Sequence, residues 1–206
     1  MMMVVGKQSL LVLLISILSF SCGQKNGTKA DLAQSTTEKK AVESIVIEPQ
    51  TDRDTLKGSL RALATGKMGN TLVTINYYSP AVRGRVIWGG LVPFDQVWVT
   101  GAHRATSIAF DNAVKIGGKE IPAGKYAFFT IPSKADWTII INKNWNQHLA
   151  DNYNVKDDVV RLNVKPEIEE AHQERLRYVI ESEGENSAEI VIYWEKLEVS
   201  LPISVQ

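Results

Sequence analysis

The densest group of polar and aromatic side chains lies between residues 83 and 104. There Arg83, Arg85, Asp95, His103 and Arg104 interleave with Trp88, Phe94 and Trp98. A guanidinium can fork onto a carboxylate, phosphate or sulfate, and an indole offers a flat face to sugars or cations. On that chemistry Arg85, Trp88, Asp95, Trp98, His103 and Arg104 are the candidate ligand-binding residues. The same residues admit a packing reading, which is the favoured one. In it Trp88 and Trp98 anchor a loop on the core while the arginines pair with Asp95 and backbone carbonyls.

Catalytic chemistry has less to stand on. His103 is the only histidine in the group, and a histidine beside an arginine lacks the nucleophile–base–orienter arrangement of covalent catalysis. Ser107, Thr106 and Ser133 have no base close in sequence. His148 and His172 are dispersed, without the short-spaced pair that marks a metal site, so no metal and no cofactor is expected. Phosphate-loop, dinucleotide and nucleophile-elbow motifs are absent from the sequence. The Asp157-Asp158 pair is expected to cap a loop in solvent.

The elements that must position these residues read as strands. Residues 71–78 (TLVTINYY) put Val73, Ile75 and Tyr77 on one face, and Ser79-Pro80 ends the run. Further runs cover 105–110, 114–116, 125–131, 136–141, 158–164, 176–180, 188–194 and 197–201. Gly117-Gly118 suits a tight hairpin because glycine accepts positive φ. Residues 121–124 (IPAG) make another turn, and 183–186 (EGEN) a hairpin loop. Residues 84–93 hold paired glycines and a proline and read as a long loop, the usual place for binding residues. Residues 166–175 (PEIEEAHQER) carry helix-start signals and predict one or two helical turns at most. Roughly ten strands at this spacing predict an all-β fold, an antiparallel β-sandwich of jelly-roll-like or immunoglobulin-like type.

Ahead of the strands lies an address. Lys7 precedes an apolar run at 10–18 (LLVLLISIL), and Ser19-Phe20-Ser21 supplies small residues for cleavage, the layout of a secretory signal peptide over 1–21. That run is too short for a membrane span. The sole cysteine, Cys22, follows directly and resembles the lipobox position, although Ser19 stands where leucine is usual. Ordinary cleavage after Ser21 also fits, but a lone cysteine kept here points to lipidation. Residues 22–57 read as the anchor site and a flexible tether, polar and without sustained apolar period. Ile45-Val46-Ile47 is its one apolar cluster, either local or paired with a sheet edge. Residues 58–206 are the domain, large enough for a self-sufficient core. The partners expected are a membrane, reached through the anchor, and a small-molecule, glycan or envelope-protein ligand. The location expected is the cell envelope, facing the periplasm or the cell surface.

Charge narrows the partner further. Lys+Arg and Asp+Glu both total 23, so the formal net charge is zero. That removes the general electrostatic case for nucleic acid but leaves room for a local basic patch. One cysteine also precludes an internal disulfide.

An ordered series of residues carries a family resemblance. It runs Pro80-x-x-Arg83-Gly84-Arg85, Ile87-Trp88-Gly89-Gly90-Leu91-Val92-Pro93, Val97-Trp98, Thr100-Gly101-Ala102 and Ala105-Thr106. Pro122-Ala123-Gly124-x-Tyr126, Thr130-Ile131-Pro132, Trp137 and Trp194-Glu195-Lys196 complete it. The series resembles the bacterial domain-of-unknown-function family 2911, common in exported proteins of Bacteroidetes-like bacteria, over about residues 66–205. The resemblance implies a domain without implying an activity. Ser79, Val99 and His103-Arg104 depart from the family's usual Arg, Arg and Asn-Glu, so a ligand held by those side chains would be bound differently here. Two functions stay open. One is a non-catalytic envelope module that binds a ligand or partner. The other is an envelope-associated hydrolase whose site is assembled from loops. Fold alone does not separate them.

Overall fold

The computed structural model describes residues 44–47 and 57–205. The expected signal segment, Cys22 and most of the expected tether lie outside them. The strands are β1 (Ser44–Ile47), β2 (Leu60–Met68), β3 (Thr71–Ser79), β4 (Thr106–Phe110), β5 (Val114–Ile116), β6 (Lys119–Ile121), β7 (Gly124–Ile131), β8 (Trp137–Asn142), β9 (Asp158–Val164), β10 (Glu167–Ser182) and β11 (Ser187–Ser204). All neighbours pair antiparallel. One sheet has the order β1-β2-β3-β4-β7-β8-β9 and the other β10-β11-β5-β6. This is the expected all-β sandwich: ten strands in the domain, and β1 added at the β2 edge. The 45–47 cluster thus takes the sheet-pairing alternative, with Ile45 opposite Ala64 and Ile47 opposite Ala62.

Period-two patterning explains the inner face. Val73, Ile75 and Tyr77 of β3 are buried as expected. β2 turns Ala62, Ala64, Gly66 and Met68 the same way. Small residues are needed there because β10 passes close. A Cβ on Gly66 would lie 2.6 Å from Ile180 Cγ2. Gly117 and Gly118, at φ +56° and +77°, make the hairpin turn between β5 and β6, as the paired glycines predict.

β7 and β8 are buried on both faces. Tyr126, Phe128, Ile139 and Ile141 face the main core between the sheets. Ala127, Phe129 and Ile140 face a second, smaller core on the outside of the sheet, closed by Val99, Ala105, Trp98, Ala150 and Tyr153. A polar network pins that outer layer. The Asp158 carboxylate, 6% exposed, accepts from Asn142 Nδ2 (2.7 Å), Tyr153 OH (2.7 Å) and Arg161 Nη1 (2.9 Å). Burial first, then the Asp158 carboxylate, pushes the Tyr153 hydroxyl up to about 12. The expectation that Asp158 caps a loop in solvent is therefore corrected: only strand pairing to β8 makes this position interior.

Residues 166–175 also need correction. Instead of a helical turn they begin β10, a 16-residue strand. Its first half is exposed on both faces, so no apolar alternation marks it in the sequence. Pairing with β11 holds it, through Glu167 opposite Glu198 and Ile168 opposite Leu197. Charge on an edge strand also discourages pairing with other chains. The runs at 188–194 and 197–201 are one strand, β11, bulged where Glu195 takes φ +58° and the register with β10 shifts.

Candidate functional site

Residues 80–105 connect β3 to β4 and contain the loop 84–93 expected to carry binding residues. The stem of this connection is tied to β10: Val82 N donates to Glu174 O (2.8 Å) and Leu176 N to Pro80 O (3.0 Å). A knuckle follows, with Gly90 N donating to Ile87 O (3.2 Å) and Leu91 N to Val86 O (3.0 Å). Gly90 has no room for a side chain, since a Cβ would meet Val86 O at 2.4 Å.

The knuckle drives Ile87, Trp88 and Val92 into the main core. Trp88 sits edge-on to Trp98 (5.9 Å between ring centres), Trp137 (4.8 Å) and Trp194 (5.6 Å), while Trp98 stacks on Trp194 at 17°. Trp98 Nε1 donates to Gly101 O (3.2 Å). The indole N–H groups of Trp88, Trp137 and Trp194 are buried and meet no acceptor among the described residues. Edge-to-face packing offers such groups neighbouring ring faces instead. The two loop tryptophans are thus part of a four-indole cluster packed with the main core.

The polar candidates separate in space. Arg85 turns back onto its own loop, Nε donating to Val82 O (3.1 Å) and Nη2 to Ala81 O. Exposed Asp95, at φ +60°, is held by its backbone N–H on Pro132 O (2.8 Å). His103, at φ +62°, is exposed and sets its ring edge-on to Tyr78 at 5.1 Å. Arg104 reaches away from the knuckle, its Nη2 donating to Asn146 Oδ1. The knuckle residues and the pair 103–104 therefore do not share one site.

Arg104 belongs instead to an open groove of about 560 Å³ on the outer face of the larger sheet. Strand alternation places Arg61 and Leu63 of β2, Asn76 and Tyr78 of β3, Ser107 of β4 and Lys125 of β7 there. Pairing registers bring them together: Arg61 is opposite Tyr78, Leu63 opposite Asn76, and Asn76 opposite Ser107. The far wall is Trp145 and Asn146, in the segment after β8. Buried Gln147 stiffens that segment, its Nε2 donating to Asn144 O (2.6 Å) and its Oε1 accepting from Asn152 N (3.0 Å). Ala105 N donates to Gln147 O (3.1 Å) and Leu149 N to His103 O (3.2 Å), which locks 103–105 against the same segment.

Three cations, Arg61, Arg104 and Lys125, line the groove, and among the described residues no carboxylate does. Lys125 Nζ lies 3.9 Å from the centre of the Trp145 ring, a cation–π contact worth about 0.5–1 kcal/mol at an exposed site. Trp145 is 37% exposed, the one tryptophan outside the indole cluster. The sequence reading singled out only Arg104 of the groove's charged and aromatic residues. Arg61, Tyr78 and Lys125 sit on separate strands, and register alone joins them.

Other candidate chemistry stays apart. His148 Nδ1 pairs with Asp151 Oδ2 at 2.8 Å, and His172 Nε2 with Glu174 Oε2 at 3.2 Å, both in solvent. Thr106 Oγ1 donates to Thr100 O (3.0 Å) and Ser133 Oγ to Asp136 O (2.7 Å), so neither meets a base. Among the described residues no cluster of His, Cys, Asp or Glu could hold a metal ion. No helix there is long and apolar enough to cross a membrane.

The smaller sheet carries the opposite charge. Residues 167–198 hold ten of the chain's 23 acidic residues. Burial, then the neighbouring Glu169 carboxylate, raises the Glu198 carboxyl above its ordinary value. The folded state then binds that proton more tightly than the unfolded chain does, so stability falls as pH rises from about 4.5 through the raised value. Glu198→Gln is expected to raise Tm at neutral pH, with the gain fading as pH approaches 4. Thermal melts of both proteins across that range check this.

No curated protein and no solved structure matches the chain. The model of the family described as "Protein of unknown function (DUF2911)" matches residues 59–203, from the start of β2 into the end of β11. That span takes in the knuckle, the indole cluster and the groove, and on it the chain belongs to the DUF2911 family.

Proposed function

We propose that this protein is an exported module, held at a membrane by lipid on Cys22, that binds an anionic ligand in the groove of the larger sheet without chemically altering it. The observation that carries the binding reading is the groove's lining: Arg61, Arg104 and Lys125 converge there, with no acidic side chain among the described residues to neutralise them. Cations gathered in one concavity concentrate an anion even on a chain whose formal net charge is zero. The volume, about 560 Å³, is that of an ordinary small-ligand site. Arg85, Asp95, Trp88 and Trp98 serve in this reading to fix the connection that presents Arg104. A hydrolytic reading has no comparable support, because Ser107, the serine of the groove, has no histidine or carboxylate beside it among the described lining residues.

The anchor is supported by the lone cysteine directly after the signal segment. Several acyl chains, at about 0.8 kcal/mol per buried methylene, would hold the chain stably. Cys22→Ser is expected to move the protein from the membrane fraction to the soluble fraction while its melting temperature stays the same. A variant that still sediments with membranes as the wild type does would refute the anchor. Binding is tested separately, by titrating the protein with inorganic polyphosphate and with poly-glutamate at low salt; a groove site predicts saturable, salt-sensitive binding of at least one of them.

A further inference from the structure

The geometry points to an acidic saccharide, a short run of sugar rings bearing carboxylate or phosphate groups, as the ligand of the groove; this rests on the anion-binding reading above. The cations alone would accept any small anion, so the remaining lining decides the class. Tyr78 and Trp145 supply aromatic surface on two walls of the same groove. A sugar ring presents a face of C–H groups that packs on such surface, which an inorganic anion or an acidic peptide backbone does not.

The charges and rings are interleaved. Lys125 lies against Trp145, and Arg61 is opposite Tyr78 across the β2–β3 pair. A charged substituent and the ring that carries it can then be met by neighbouring side chains. Asn76, Ser107 and Asn146 add neutral donors and acceptors for hydroxyls. Asn146 uses its oxygen on Arg104, and its amide N–H groups are the donors it can offer a ligand.

A single-stranded nucleic acid also pairs cations with aromatic rings. It is disfavoured by the zero net charge, which leaves no general basic excess to hold a longer polyanion beyond the three cations of the groove. A segment of two or three sugar units stays within it.

The test uses the full chain in detergent, with Trp145 fluorescence as the reporter. Probes are trigalacturonate, neutral cellotriose, inorganic polyphosphate and a single-stranded oligonucleotide. Trigalacturonate is expected to perturb the emission and saturate, and cellotriose to do neither. Trp145→Ala, followed by calorimetry because the reporter is lost, should weaken trigalacturonate at least tenfold and polyphosphate less than twofold. Trp145→Phe should retain most of the affinity, and equal melting temperatures for all three proteins exclude unfolding as the cause. Equal losses for trigalacturonate and polyphosphate, or no loss for either, would overturn the saccharide assignment and leave anion binding standing. Tighter binding of the oligonucleotide than of trigalacturonate would overturn it in favour of nucleic acid. Failure of every anion to bind would remove the assignment together with the reading beneath it.

Discussion

Trp137→Ala is expected to cost about 3–5 kcal/mol, the usual penalty for emptying a large aromatic site. Trp137 is buried at the start of β8, 4.8 Å from Trp88, with Trp194 and Trp98 in the same group of rings. Removing it takes away one wall of the cluster that receives the knuckle. Trp88→Ala should fall in the same range, because the loop loses the side chain that plugs it into the core. Against a typical domain stability of about 5–15 kcal/mol, either change consumes a large fraction of the total. Arg85→Ala is the contrast. Its guanidinium binds two loop carbonyls but is exposed, so a loss of about 1 kcal/mol is expected. Urea denaturation of the three variants measures the difference directly. Similar large losses for Arg85→Ala and the tryptophan variants would mean that the guanidinium is as structural as the indoles.

The second large effect concerns binding. Replacing Arg61, Arg104 and Lys125 together by glutamine should leave the fold intact, since these side chains lie on the open face and hold none of the core. It should weaken capture of a polyanion roughly 10- to 100-fold at low salt, taking about 0.5–1 kcal/mol for each exposed charge contact. The wild-type affinity should itself fall as salt screens the groove, while the residual binding of the triple variant should depend on salt much less. A triple variant that binds as the wild type does, with the same salt dependence, would place the anion site elsewhere.

How much of this was legible in the sequence depended on whether each signal was local. β3, the β5–β6 hairpin and β9 were readable because alternation and turn residues lie within a few positions of one another. β2 was not legible as a strand, because all its inward residues but Met68 are alanine or glycine, small enough for β10 to approach at Ile180. β10 looked helical because its exposed first half carries charge without period. The site behaved in the same way. The arginine–tryptophan run was visible as a string, and it proved to be two things in space: a plug that fastens the connection, and a corner that delivers Arg104 to a groove. Lys125 and Trp145 lie 20 positions apart and meet only through the turn after β8. No local pattern announces such a pair.

The central claim is that the outer face of the larger sheet is where an anion binds. Amide and indole chemical shifts of isotope-labelled protein, followed during titration with the anion that binds most tightly, test it most directly. Perturbations confined to Arg61, Asn76, Tyr78, Arg104, Ser107, Lys125, Trp145 and Asn146 are expected. Saturable binding with perturbations centred on the knuckle, at Arg85, Leu91 and Asp95, would contradict it.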